Sequence, residues 1–211
     1  MFGVPSRRRT AANLGSWAGA IAVLLAAALS VHGQENKQDN APSVSKPDAA
    51  RAAWARIVMV LQHPRCMNCH QDNVPLQGDE RRIHIPLVVR GHTNDKGVGL
   101  GVDAMRCGNC HNATGNNETS GTPGAVGEPW GLAPISMRWQ GQSSAYLCDM
   151  LKDRTRNGNR NGPSLILHMS TPVVMWAWVP GGDRTPVPMP HEEFVKQMEI
   201  WVAGDMACPT N

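Results

Sequence analysis

The sequence is short of the residues that usually fill a protein core. It has two Phe and one Tyr in 211 residues, and aromatic residues make up 5% of it. Beyond residue 33 only Phe194 and Tyr146 remain of these, beside six Trp. Gly and Pro, at 21 and 16, together approach a fifth of the chain, a high share for a packed domain. Such a chain struggles to offset its ordering entropy by side-chain burial. Apolar bulk is therefore expected from some other source. An excess of one charge is missing as well. Residues 1–33 hold three Arg and no acid, so the rest carries 17 Lys+Arg against 17 Asp+Glu. A nucleic-acid partner is excluded on that balance. Hydrophobic runs are short too: the longest, Trp17 to Val31, spans 15 residues, below the ~20 of a membrane-spanning helix. No repeat is visible beyond one five-residue motif.

What is there begins with targeting. Arg7, Arg8 and Arg9 precede the Ala-rich run, and small residues follow at Ser30 and Gly33. This is the pattern of a signal peptide over residues 1–33, and it predicts export to the periplasm. Association with a membrane is expected only if that signal stays uncleaved. Residues 34–46 are polar and aperiodic, as in a disordered leader, and one domain is expected over residues 47–211. Ser45-Lys46-Pro47-Asp48 resembles a capping box, and Ala50, Ala53, Trp54, Ile57, Val58 and Leu61 recur at helical spacing. A helix is predicted over residues 47–62, ended by His63-Pro64. From Gln71 to Gly141 periodicity fades, and so long an irregular stretch is acceptable only if something non-peptidic organises it. Further helices are predicted at Ser143–Leu151, Ser164–Met169 and Pro190–Ala203, the last with Glu192 and Glu193 at its start and Gly204 at its end.

Two segments have the form Cys-x-x-Cys-His: Cys66-Met67-Asn68-Cys69-His70 and Cys107-Gly108-Asn109-Cys110-His111. In c-type haem attachment each thiol adds its S–H across a vinyl group, forming one C–S and one C–H bond with nothing released. The adjacent imidazole then lies beneath the iron. The expectation is two haem c groups held by Cys66, Cys69, Cys107 and Cys110, with His70 and His111 as proximal iron ligands. A four-thiolate zinc site is the competing reading. It leaves both His unexplained and needs a gap of 37 residues between Cys69 and Cys107. Thioredoxin-like redox disulfides lack the surrounding βαβ pattern.

The occupant of each sixth iron position decides function. His84, between Ile83 and Ile85, His168 on a short helix, and His63 are the candidate distal ligands. His63 is so near Cys66 that the second haem suits it better than its own. His92 is a weaker candidate, and His191 reads as a capping residue. Met105, Met137, Met169, Met175 and Met189 compete, although most Met are core filler. Two imidazoles give low-potential haems and His/Met a higher potential; bis-His is expected for at least one haem. Cys148 and Cys208 remain, and in an oxidising compartment they are expected to form a disulfide. Trp176-Ala177-Trp178 puts two indoles on one face if extended. Arg81, Arg82, Arg90 and Arg106 read by default as solvated charges, with pairing to haem propionates as the functional alternative.

Several segments also carry a family resemblance. His63 to His70 followed by Val74-Pro75-Leu76-Gln77-Gly78-Asp79, Arg106 to His111, Cys148-Asp149-Met150-Leu151-Lys152-Asp153, and Trp176-Ala177-Trp178-Val179-Pro180-Gly181 resemble small bacterial dihaem cytochromes. These are often labelled "isoquinoline 1-oxidoreductase subunit", and the similarity spans about residues 52–209. The resemblance implies electron exchange with a molybdenum hydroxylase, and no molybdopterin or flavin motif is present in this chain. The expected fold is mainly α with extensive irregular loops, a cytochrome-c-like dihaem domain organised around covalent haems. The expected role is transfer of electrons between a redox protein donor and acceptor. A haem enzyme such as a small dihaem peroxidase is the alternative, although such enzymes are usually longer.

Overall fold

A computed structural model describes residues 44–111 and 129–210, all within one unit, Pro42–Asn211. The expected signal, residues 1–33, and the leader up to residue 43 lie outside the described residues. Among the described residues there are seven α-helices and two antiparallel two-stranded hairpins. None of those helices is long and apolar enough to cross a membrane.

Helix α1 spans Lys46–Leu61. Its start is set by Ser45, whose Oγ accepts from Asp48 N at 3.3 Å, by Pro47 in the first turn and by Asp48 at the positive end of the dipole. Every apolar position of the sequence stripe is buried along it. A single turn, α2 (Pro64–Met67), follows. The segment to residue 111 is organised by two hairpins, β1 (Leu76–Gln77) with β2 (Arg82–Ile83), and β3 (Gly101–Val102) with β4 (Met105–Arg106). The second hairpin runs into the one-turn helix α3 (Cys107–Cys110). Helices α4 (Ser144–Lys152), α5 (Gly162–His168), α6 (Pro172–Met175) and α7 (His191–Ala203) complete the chain.

The core forms where α7 lies antiparallel against α1. Trp54 and Trp201 meet with ring centroids 5.1 Å apart, and Arg56 pairs with Glu193 at 3.0 Å near the other end. Trp54 Nε1 donates to Ser144 Oγ at 2.9 Å, joining α4 to the pair. The Sγ atoms of Cys148 and Cys208 stand at disulfide distance, 2.12 Å, across 60 positions of sequence. They tie α4 to the segment after α7.

Two expectations change here. The stretch from Gln71 to Gly141 is not structureless, because the hairpins and isolated bridges at Gly91–Gly101, Thr93–Gly99 and Gly99–Leu132 organise its described part. Strands of two residues are too short to show alternation. Trp176-Ala177-Trp178 is not extended either: it continues from α6 as turns, and its indoles diverge. Trp176 meets Trp130, while Trp178 meets His191 and Phe194.

Gly204 permits the α1–α7 approach, since a Cβ there would lie 2.5 Å from Lys46 O and 2.6 Å from Ala50 Cβ. Gly204→Ala is expected to destabilise the protein by about 1–3 kcal/mol through forced separation of the helices. Urea unfolding measures it, and an unchanged midpoint would show that the helices separate freely. Cys148→Ser/Cys208→Ser is expected to cost about 2–4 kcal/mol, chiefly by releasing the unfolded chain. A double variant as stable as the oxidised protein would refute this.

Candidate functional site

Helix α1 delivers the chain to the first motif. His63-Pro64 stops the helix, and His63 Nδ1 accepts from Arg65 N at 3.3 Å as the N-cap of α2. That role occupies one nitrogen of His63, and the residue does not line the cavity described next. Cys66, Cys69 and His70 do line it: a cavity of about 1210 Å³ whose lining also includes residues of α5, α6 and the turn after them.

The Cys69-His70 peptide is stitched to the irregular segment beyond residue 129. Ala133 N donates to Cys69 O at 3.1 Å and Trp139 N to His70 O at 2.9 Å. The His70 ring stacks on Trp139, with centroids 3.4 Å apart and planes 15° from parallel. Its Nδ1 lies 2.7 Å from Met137 O. A carbonyl oxygen only accepts, so Nδ1 carries the hydrogen and the Nε2 lone pair is left for a metal. Burial pushes the His70 pKa down to about 3, against the opposing pull of the Met137 bond. The ring is therefore neutral near pH 7, as a ligand must be.

His168 and Met169 line the same cavity. His168 is pushed down to about 4, first by burial and then by the charge of Arg160, and its charge in turn lowers His70. Met169 is buried, and its carbonyl receives His191 Nε2 at 3.1 Å. The cavity thus holds both ligand types expected from the short helix. Of the other Met candidates, Met137 also lines it, whereas Met105, Met175 and Met189 do not.

The second motif sits at the surface. Cys107 N donates to Leu100 O at 3.0 Å and His111 N to Cys107 O at 2.9 Å, so the β3–β4 hairpin sets the turn. Cys110 is exposed. His111 lies beside His84, with ring centroids 6.0 Å apart, and stacks near Trp130 at 5.1 Å. His84 is held by His84 N donating to Pro75 O at 3.1 Å, and its Nδ1 sits 2.8 Å from Pro86 O. By the same reasoning as for His70, its Nε2 is left for a metal.

The two motifs are neighbours. Burial pushes the Cys69 thiol up to about 11, and the charge on Cys107 is the next contribution. Burial likewise pushes Cys66 up to about 12. Trp130 bridges the sites, touching the His111 ring on one side and the Trp176 ring on the other at 5.8 Å.

A haem suits this donor set. The cavity exceeds the ~300–1,000 Å³ typical of small-ligand pockets. It is walled largely by apolar and aromatic side chains. Arg65 Nε, Trp139 Nε1 and Trp176 Nε1 are buried N–H donors without a hydrogen-bond partner, and all three residues line the cavity. Buried donors without acceptors are costly, and carboxylates such as haem propionates would satisfy them. Zinc suits it less. Among the described residues no three His, Cys, Asp or Glu side chains converge on a common metal position, whereas a haem iron takes at most two protein ligands. No family model, curated protein or solved structure matches the chain.

The sequence missed two arginines. Arg65 is 4% exposed, pairs with Asp79 and lies over the Trp176 ring at 5.4 Å. Its neighbours in sequence gave no sign of burial. Arg90, read by default as a solvated charge, is 8% exposed. It donates to Asp72 O at 2.6 Å, Ala133 O at 2.8 Å and Gln71 O at 2.7 Å. It is a structural clamp, and its donors are spent on carbonyls rather than left for propionates. Arg82 pairs with Glu80 and Arg106 with Asp103. His92 lies 3.4 Å from Asp103 on the exposed side.

Arg90→Met leaves three carbonyls short of a charged donor and is expected to cost at least about 3 kcal/mol. Arg90→Lys recovers only part of this, because an ammonium cannot reproduce the planar fork. Urea unfolding checks both, and full recovery by Lys would disprove the clamp.

Proposed function

We propose that this protein is an exported dihaem c-type cytochrome that carries electrons between redox partners. The observation that carries the reading is His70. It closes a Cys-x-x-Cys-His motif, lies in a large apolar cavity, and has Nδ1 committed to Met137 O with Nε2 free for iron. The second motif repeats the Cys-x-x-Cys-His spacing with His111. A haem bound at each site supplies an iron that takes up and releases one electron.

The protein's own residues do the rest. Cys66 and Cys69, and Cys107 and Cys110, anchor two macrocycles, which fits a cytochrome-c-like arrangement of short helices and loops. Trp139 orients the His70 imidazole by stacking. Arg65, Trp139 and Trp176 offer N–H donors to anionic propionates. Trp130 lies between the two sites, and their closeness suits exchange of electrons within the chain. The second site lies at the surface beside exposed Ile83, Ile85 and Leu87, and it is the side from which a partner protein gains access. A Cys148–Cys208 pair at disulfide distance supports an oxidising compartment such as the periplasm. The family resemblance makes a molybdenum hydroxylase the first donor to try.

The test is the protein matured in a host that attaches c-type haems. The denatured chain is expected to retain two haems by mass and by pyridine haemochrome, and Cys66→Ala/Cys69→Ala to retain one. Zinc in place of haem ends this reading. A ferric protein that turns over peroxide at a high-spin iron replaces the carrier with the peroxidase.

A further inference from the structure

We propose that His84 and His111 bind opposite faces of a single iron, so that the haem anchored by Cys107 and Cys110 has two imidazole ligands. The inference rests on the dihaem reading above and assigns the sixth ligand of its surface site.

Separation is the first argument. Imidazole–metal bonds are about 2.0–2.1 Å, and a ligating nitrogen lies about 1.1 Å from its ring centroid, so two trans imidazoles stand about 6.3 Å apart. The His84 and His111 centroids are 6.0 Å apart. Direct ring contact does not require that spacing, but a shared metal does. Tautomer is the second. His84 Nδ1 faces the carbonyl of Pro86 at 2.8 Å, which makes it the hydrogen donor and leaves Nε2 as the ligating atom.

Placement is the third argument. His84 is fixed at both of its edges, through its own N–H to Pro75 O at 3.1 Å and through Ile85 N to Gln77 Oε1 at 2.8 Å. His111 is fixed by its N–H to Cys107 O at 2.9 Å. The first hairpin and the second therefore each present one imidazole, and neither needs a large rearrangement to close on a metal. None of this holds for His63, which caps α2, or for His92, which lies against Asp103.

The ring planes make an angle of 68°. Near-perpendicular axial imidazoles leave the two iron d orbitals that interact with them almost equal in energy. The ferric haem is then expected to give a strongly anisotropic low-spin signal in electron paramagnetic resonance. This signature is independent of any turnover.

The experiment uses the mature protein carrying two haems per chain. Wild type is expected to show the anisotropic low-spin signal. In His84→Ala that signal is lost and half of the total haem becomes high-spin, with two haems still attached; added imidazole restores the low-spin form. Should His84→Ala fail to accumulate, His84→Met keeps a sixth ligand. It is expected to raise the potential of one haem and add the charge-transfer band of a thioether–iron bond. A two-haem His84→Ala protein with an unchanged low-spin spectrum overturns the assignment while leaving the dihaem reading intact. So does a two-haem His84→Met protein with neither change. A wild-type chain without haem overturns the dihaem reading itself.

Discussion

Three hydrogen bonds between the Cys69-His70 step and residues 133–139 hold the site together. Ala133 and Trp139 bond its two carbonyls, and Met137 accepts from the His70 ring. The described residues 129–138 hold only the single turn Ile135–Met137 and the bridge at Leu132, so these bonds decide where Met137, Trp139 and the cavity wall lie. The platform behind them is the α1–α7 pair. Helix α1 is buried along one face against Trp201 and Phe194, and it aims the chain into the motif at a fixed angle. Arg90 completes the frame by joining carbonyls at Gln71, Asp72 and Ala133. Because that buried guanidinium is satisfied by three acceptors, it binds strands of chain that lack apolar groups to bury.

The periodic parts of the sequence were legible. Helices α1, α4 and α7 begin and end within a residue or two of where capping residues and apolar stripes put them, because each has at least two turns over which a 3.6-residue period can register. The Cys148–Cys208 pair was also legible, from arithmetic and compartment alone. What could not be read shares a cause. The hairpins are two residues per strand and α6 is four residues, too short for any period. Arg65 and Arg90 are buried through tertiary hydrogen bonds that composition cannot foresee. Trp176 and Trp178 looked like a matched pair, but one turn of backbone separates their directions.

The site divided in the same way. The motifs gave the candidate sulfurs and imidazoles from spacing, because haem attachment fixes that spacing locally. Among the distal candidates His84, His168 and His63 stood level, because a sixth ligand arrives through the fold and leaves no local pattern. Folding separates His84 from His63 through the second nitrogen of each ring. His70 and His84 both face a carbonyl with Nδ1, whereas His63 spends its Nδ1 as an acceptor at a helix cap.

The two sites are unequal, and the inequality has a functional direction. Around His70 the thiols and imidazole are half-buried in the cavity wall, among residues that include Arg65, Trp139 and Trp176. Around His111 one cysteine is exposed and the opposing histidine comes from a surface hairpin. Burial raises the cost of net charge at an iron, while nearby cations and N–H donors lower it for the reduced or anionic state. Under the dihaem reading, two irons in such unequal surroundings would differ in potential. On that reading the outer position would meet partners and the inner one would store the electron. A peroxidase instead needs an iron face open to peroxide, and His168 and Met169 line the same cavity as His70 while His84 stands beside His111. Under the dihaem reading, a candidate ligand for each sixth position fits the proposed carriage better than the alternative of catalysis.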